Sequence, residues 1–496
     1  MFQRFHRDAD VSRSTSSLVR RIVTPANAAA CVPPVLYLVY INHFSVNALF
    51  GDDWNMVPIM DATLHGRWSF NQFWSQYSDA RIPVAKAIFV LFAFANRFNT
   101  RSVILLSAVL LVAAYVLLLV LFRRYVGKRL TPVPVLIIGL VWFSLASVQT
   151  ALWAFLLTWY LVVFFLLVVL VALVVPIRHR RLWFGIALLA AILASFSFLQ
   201  GLIVWPVAAI CIVWCQPWSR RVSLELGTWI GAMLVTCAVY FSGYSVAMAG
   251  CFSGNGCRRG VAFSHPLRAF RYIILLIGNV IPGGYLGSSV KDLARFEVIG
   301  AALLIAAAFI IVQSWRHRSS AEHLPLPLFL IVFALLFDVT IAIGRTGAGP
   351  RDAIVSNRYV MPNIILLTGI VIFALARIPP LRLPATDGGK RVYATWLALL
   401  AVAIVVGVQV VVATGFGLNN ARLNRADLLS GVHLVVHLDR VPPSDRRHEI
   451  ERHSISGSQV CLASKDYLGE FGSAAYRRDR SRPPIVLRSC TTKSPQ

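Results

Sequence analysis

The chain has 496 residues, 57% of them hydrophobic and only 14% charged, with a mean hydropathy of +0.70. Soluble domains carry about a quarter charged residues, so composition excludes the soluble globular class and indicates a membrane protein. The 47 Lys and Arg against 21 Asp and Glu would suit nucleic acid, but in a multi-pass chain such a surplus belongs to the inside loops, and no nucleic-acid partner is expected.

Residues 1–27 are polar and basic without a small-residue cleavage pattern, and read as a cytoplasmic leader to an uncleaved first span. Apolar runs then cover roughly 28–50, 102–122, 133–150, 152–176, 183–199, 200–216, 226–246, 296–314, 324–344, 359–377 and 393–414. Two shorter stretches, 84–96 and 270–284, are interrupted by Asn, Pro or Gly and fit interfacial or re-entrant segments. Alternating the long runs from an inside N-terminus puts "RRYVGKR", "RHRR", "SRR" and "WRHR" on the cytoplasmic side, as the positive-inside rule asks. The expectation is an all-α polytopic membrane protein of about eleven transmembrane helices. Its membrane domain would cover 28–414, its first outside loop 51–101, and a small extracytoplasmic region 415–496. Cys251 and Cys257, and Cys461 and Cys490, then face the oxidising side as two candidate disulfides, whereas Cys31, Cys211, Cys215 and Cys237 lie in or beside apolar runs.

Three constellations could carry chemistry. In the first outside loop, "GDDW" places Asp52 and Asp53 where a span meets water, with Asp61 and Asp79 downstream. Carboxylates there serve as general base, metal ligand or cation partner, or simply cap the next short helix. The following "MDATLHGRWSFNQFWSQY", which includes His65, interleaves aromatic and polar residues as an interfacial helix does. The second constellation is "GRTGAGPRDAIVSNRYVMPN", Gly344–Asn363, with Arg345, Arg351 and Arg358 in one outside loop. Arginine forks suit phosphate oxygens, and the same residues suit anchoring of two helix ends. Tyr359 and Asn363 add hydrogen-bonding capacity, and Asp338 is an intramembrane carboxylate, a functional candidate by default or half of an ion pair with an arginine. The third is the basic outside loop with Arg258, Arg259, His265, Arg268 and Arg271, suited to lipid phosphate. His43, two turns before Asp52, faces the same cavity or merely packs. There is no GxxxxGK[ST] loop, GxSxG elbow or HExxH helix.

"FGDDW" (Phe50–Trp54), "YSDARIPVAKAIFVLFAFANRFNTRS" (Tyr77–Ser102), "QTALWAFLLTWYL" (Gln149–Leu161), "SFSFLQGLIVWP" (Ser195–Pro206) and the "RY…P" re-entry at Arg358, Tyr359 and Pro362 together resemble the GT-C superfamily. These are polytopic glycosyltransferases that use polyprenyl-phosphate sugars. The resemblance implies sugar transfer from a polyprenyl-phosphate carrier to an envelope glycan or lipid acceptor, on the outer face of a bacterial inner membrane. By the family's pattern the acidic residue after the first span is catalytic, which carries over to Asp53 by preference or Asp52. The donor-phosphate residues carry over to Arg358, then Arg345, with Tyr359. Asp79 stands where many relatives have His or Glu, and Arg81 and His65 would support the loop or the acceptor. A divalent metal is left open by the outside acids. The rival class is a transporter or flippase, which Asp338 partly fits and boundary carboxylates do not.

Overall fold

The computed structural model describes residues 25–64, 66–127, 130–175, 179–215, 219–245, 260–284, 293–316, 325–377 and 389–452. It is 83% helix, with no strand among the described residues. The helices in chain order are α1 (Pro25–Phe44), α2 (Val57–Leu64), α3 (Phe70–Trp74), α4 (Pro83–Asn96), α5 (Thr100–Val126), α6 (Pro132–Trp142), α7 (Val148–Leu152), α8 (Leu157–Val174), α9 (Arg180–Ser195), α10 (Val204–Cys215), α11 (Arg220–Phe241), α12 (Val261–Ser264), α13 (Pro266–Gly278), α14 (Ala294–Arg316), α15 (Leu326–Arg345), α16 (Asp352–Val355), α17 (Val360–Ala376), α18 (Gly389–Val436) and α19 (Arg446–Arg452).

Each expected apolar run overlaps a helix in part or whole, and among the described residues seven helices are long and apolar enough to cross a membrane. They lie at Thr100–Val126, Ala154–Val174, Arg220–Phe241, Ala294–Arg316, Leu326–Ala348, Asn357–Ala376 and Leu400–Val436. The two interrupted stretches form α4 and α13, of 14 and 13 residues. At ~1.5 Å per residue neither crosses the ~30 Å hydrocarbon layer alone. The structure adds two departures from the sequence reading. The run 133–150 is not one helix but α6, an irregular stretch from Phe143, and α7. The last run continues to Val436 as a single 48-residue helix, so the boundary expected at 415 falls inside α18. Cys251, Cys257, Cys461 and Cys490 lie outside the described residues, while Cys31, Cys211, Cys215 and Cys237 are free thiols.

Packing follows from side-chain size. Central α8 is Leu- and Val-rich around its whole circumference and is mostly buried, as a helix enclosed by others must be. Where two helices cross closely, glycine removes the obstacle: a Cβ on Gly300 would sit 1.9 Å from the Ile274 carbonyl, and one on Gly278 as close to Phe296. Termini close in ordinary ways, with Asn99 and Ser219 side chains accepting from the amides of Arg101 and Val222, and Gly127 left-handed after α5.

The feature that organises the site is a set of breaks. Apart from the short helices α7 and α16, residues 45–56, 143–156, 196–203 and 346–359 leave regular α-helix, yet most of them are buried. Backbone polar groups in such a place need partners from the protein itself. Two of the breaks supply each other. The Arg358 amide donates to Gln149 Oε1 at 3.1 Å, Thr150 Oγ1 donates to the Arg358 carbonyl at 3.1 Å, and Asn357 Nδ2 donates to the Ala146 carbonyl at 2.5 Å. Asn357 and Thr150 are fully buried.

Candidate functional site at the meeting of the helix breaks

The first break begins with a turn that only glycine fits. Gly51 has φ +50°, and a Cβ there would lie 2.6 Å from the Trp153 ring. That ring is fixed by its own N–H, which donates to the Phe50 carbonyl at 2.9 Å, and by an edge-on contact with the Phe50 ring. Gly51→Ala is therefore expected to cost about 1–3 kcal/mol of stability through strain at positive φ, read as a lowered unfolding temperature of the purified protein in detergent.

After Gly51 a short 3₁₀ turn, Gly51–Met56, presents the two adjacent carboxylates in opposite ways. Asp53 is 1% exposed, and its Oδ2 accepts from the Phe50 amide at 3.1 Å, closing the turn as a cap. Burial pushes its carboxyl well above the usual carboxylate range, against the pull of the Phe50 amide. Asp52 is half-buried and turns the other way. Its Oδ1 accepts from the Tyr77 hydroxyl at 2.6 Å, and Tyr77 in turn accepts from Asn55 Nδ2 at 3.0 Å. Burial raises the Asp52 carboxyl, and Tyr77 with the positive charges of Arg358 and Arg345 pulls it back down. Of the pair, Asp53 holds the loop together, and Asp52 faces the arginines.

The second wall is the break at 346–359. Tyr359 is buried and stacks on Trp159, with centroids 6.2 Å apart. The Arg358 side chain lies over the rings of Tyr359 and Trp153 at 5.0 and 5.7 Å, and its Nη2 donates to the Tyr359 hydroxyl at 3.3 Å. Among the described residues neither Arg358 nor Arg345 has a carboxylate within ion-pair distance. Asp352 makes its hydrogen bonds elsewhere, accepting from the Tyr272 hydroxyl at 2.7 Å and the Ser356 hydroxyl at 2.8 Å, though its charge, like that of Asp52, acts on Arg358. Asn279 Nδ2 holds the carbonyls of Ala353 and Ile354, so the C-terminal end of α13 supports this loop.

The remaining expected residues fall in other places. The Arg81 guanidinium is tied to the carbonyls of Trp74 and Ser242 at 2.7 and 2.5 Å and lies over the Trp74 ring. Nearby Lys86 caps the end of α3, donating to the carbonyls of Gln72, Phe73 and Ser75. Both cations thus stabilise the loop backbone. Asp79 is half-buried beside this junction, its carbonyl accepting from Tyr244. His65 lies outside the described residues. Asp338 is fully buried, and its partner is Asn363, whose Nδ2 donates at 3.3 Å, rather than an arginine. Arg258 and Arg259 lie outside the described residues, while His265, Arg268 and Arg271 are exposed, with Arg271 paired to Glu297. Among the described residues no three His, Cys, Asp or Glu side chains gather as a protein-held metal would need.

Sequence reasoning did not single out Tyr77, Gln149, Trp153 or Asn357. All four stood within quoted stretches, but their roles depend on segments up to about 210 residues away. No family model, curated protein or solved structure matches the chain.

Proposed function

We propose that the chain is a multi-pass membrane glycosyltransferase with eleven spans and a cytoplasmic N-terminus. It moves a sugar from a polyprenyl-phosphate carrier to a glycan or lipid acceptor on the extracytoplasmic face. The observation that carries this reading is a half-buried carboxylate, Asp52, oriented by Tyr77 in the field of Arg358 and Arg345. In the reaction Asp52 accepts the proton of the acceptor hydroxyl as its oxygen attacks the anomeric carbon. The bond from that carbon to the phosphate oxygen breaks, and the electron pair leaves with the lipid phosphate. Arg358 and Arg345 stabilise the charge that develops there. Asp53 takes no part in these transfers and keeps Phe50 and the 3₁₀ turn in place.

The test is turnover in proteoliposomes with a panel of polyprenyl-phosphate hexoses and pentoses, following release of the polyprenyl phosphate. No turnover with any donor and acceptor extract overturns the reading. The pH profile adds a further expectation. Asp52 works as carboxylate, and its carboxyl is raised, so activity falls as pH drops through a value above the ordinary aspartate range of about 4. A limb that stays flat down to pH 4 argues against Asp52 as the base.

A transporter reading has one observation in its favour, the buried Asp338 without a cationic partner among the described residues. It predicts that Asp338→Asn abolishes solute counterflow, while Asp52→Asn leaves it intact.

A further inference from the structure

We propose that the seam between α1 and α18 binds one phosphate-bearing membrane lipid, with an acyl chain in the seam and the phosphate on Arg422 and Arg425. This site stands apart from the transferase reading, since none of Asp52, Tyr77, Arg345 and Arg358 lines it.

The argument begins with how α18 packs. Its buried positions, Val406, Gln409, Ala413, Asn420 and Ala421, recur at helical spacing and form one narrow stripe. At Gly417 the contact is closest, since a Cβ there would lie 2.4 Å from the Leu145 side chain. On either side of this stripe the helix is not covered, and Val408, Val411 and Val412 are exposed. Between α18, α1 and the irregular stretch after α6 runs a groove of about 470 Å³. Leu36, Tyr40 and His43 line it from α1, Phe143 from the floor, and Thr414 and Leu418 from α18.

Polarity changes along both walls in the same direction. On α18 the lining residues Val410, Thr414 and Leu418 are followed within two turns by Arg422 and Arg425, which lie beyond the lining, so the helix becomes basic past that end of the groove. On α1 the face running through Leu36 and Tyr40 ends at His43. The two basic ends are held together, because the Arg425 guanidinium donates to the His43 carbonyl and the Tyr40 hydroxyl donates to the Gly417 carbonyl at 3.3 Å. This end of the bundle leads directly into the loop with Asp52.

An apolar groove with the Arg425 guanidinium held at its His43 end and Arg422 one turn away on the same helix matches the amphipathic build of a phospholipid. The apolar walls exclude water from the chain, and arginine suits the phosphate oxygens by charge and geometry. The lipid then completes the packing of a helix whose described side chains between Leu400 and Leu423 are buried along one stripe.

The experiment uses the full chain in phosphatidylcholine nanodiscs. They are doped with phosphatidylglycerol carrying a diazirine on one acyl chain or, in a parallel sample, with diacylglycerol carrying the same label. After irradiation, phosphatidylglycerol adducts are expected on peptides covering 33–44 and 410–425, several-fold above those on α14. The phosphate-free probe is expected to give several-fold fewer. Thr414→Trp, at an exposed lining position, fills the groove and is expected to lower the seam adducts several-fold. Arg422→Gln with Arg425→Gln is expected to bring phosphatidylglycerol labelling down to the diacylglycerol level, with unfolding temperature as the check on folding. Labelling spread evenly over the lipid-facing helices, equal labelling by the two probes, or seam adducts unchanged in both variants overturns the proposal.

Discussion

Asp52→Asn is expected to lower transferase turnover by a factor of about 10²–10⁴, the range set by loss of a general base, while Asp53→Asn keeps most of it. The two residues are adjacent and chemically identical, so only their environments separate them. Asp53 accepts a backbone hydrogen bond that the amide oxygen of Asn can also accept, and its removal from water leaves it no path to a substrate. Asp52 is the one joined to Tyr77 and exposed to the field of the two arginines. Stability is expected to move the other way. A carboxyl with a raised folded-state pKa binds a proton that the unfolded chain has already lost, so stability falls as pH rises from the ordinary aspartate range through the folded value. At neutral pH both Asn variants should therefore unfold at the same temperature as the parent protein or higher. Steady-state turnover and thermal unfolding of the same preparations check both halves. Equal loss of turnover in the two variants, or loss in Asp53→Asn alone, would reverse the assignment.

Arg358→Gln is expected to reduce turnover by about 10²–10³, the usual cost of deleting one preorganised group that stabilises developing charge. Arg358→Lys should fall between, because an ammonium keeps the charge but lacks the planar fork and the stacking between Trp153 and Tyr359. These variants report on chemistry rather than folding, since Gln149 and Thr150 grip the main chain of residue 358 and not its side chain. Unfolding temperature should change little. The loss should appear in kcat more than in KM if the arginine acts on the leaving phosphate, and in KM alone if it only binds the donor. Turnover equal to that of the parent in Arg358→Gln would remove Arg358 from the mechanism.

The membrane architecture was legible because an apolar run of the right length has few ways to satisfy its backbone other than helix. The same logic failed at 133–150, where composition stays apolar while the helix stops at Trp142. Nothing local announces that stop, and the groups that make it tolerable, Asn357 and Arg358, lie over 200 residues away. The acidic loop and the arginine loop were visible as clusters of residue types. What sequence could not divide was the labour within each cluster. Arg81 read as support for the loop or the acceptor, and the structure ties its guanidinium to the backbone at Trp74 and Ser242, while Lys86, which the sequence did not single out, holds the carbonyls of Gln72 and Ser75. The family pattern pointed to Asp52 and Asp53 alike, and the direction in which each side chain leaves a short 3₁₀ turn is a matter of geometry that no spacing rule encodes.

The reciprocal bonds between the two breaks also bear on how the protein is made. Residues 146–150 are synthesised long before Asn357 and Arg358, so during insertion the Ala146 carbonyl and the Gln149 side chain must wait for partners in an apolar setting. A nascent chain halted between these segments carries an unsatisfied kink in its third apolar run. Asn357→Leu should then lower the yield of inserted protein before it alters any property of the molecules that survive.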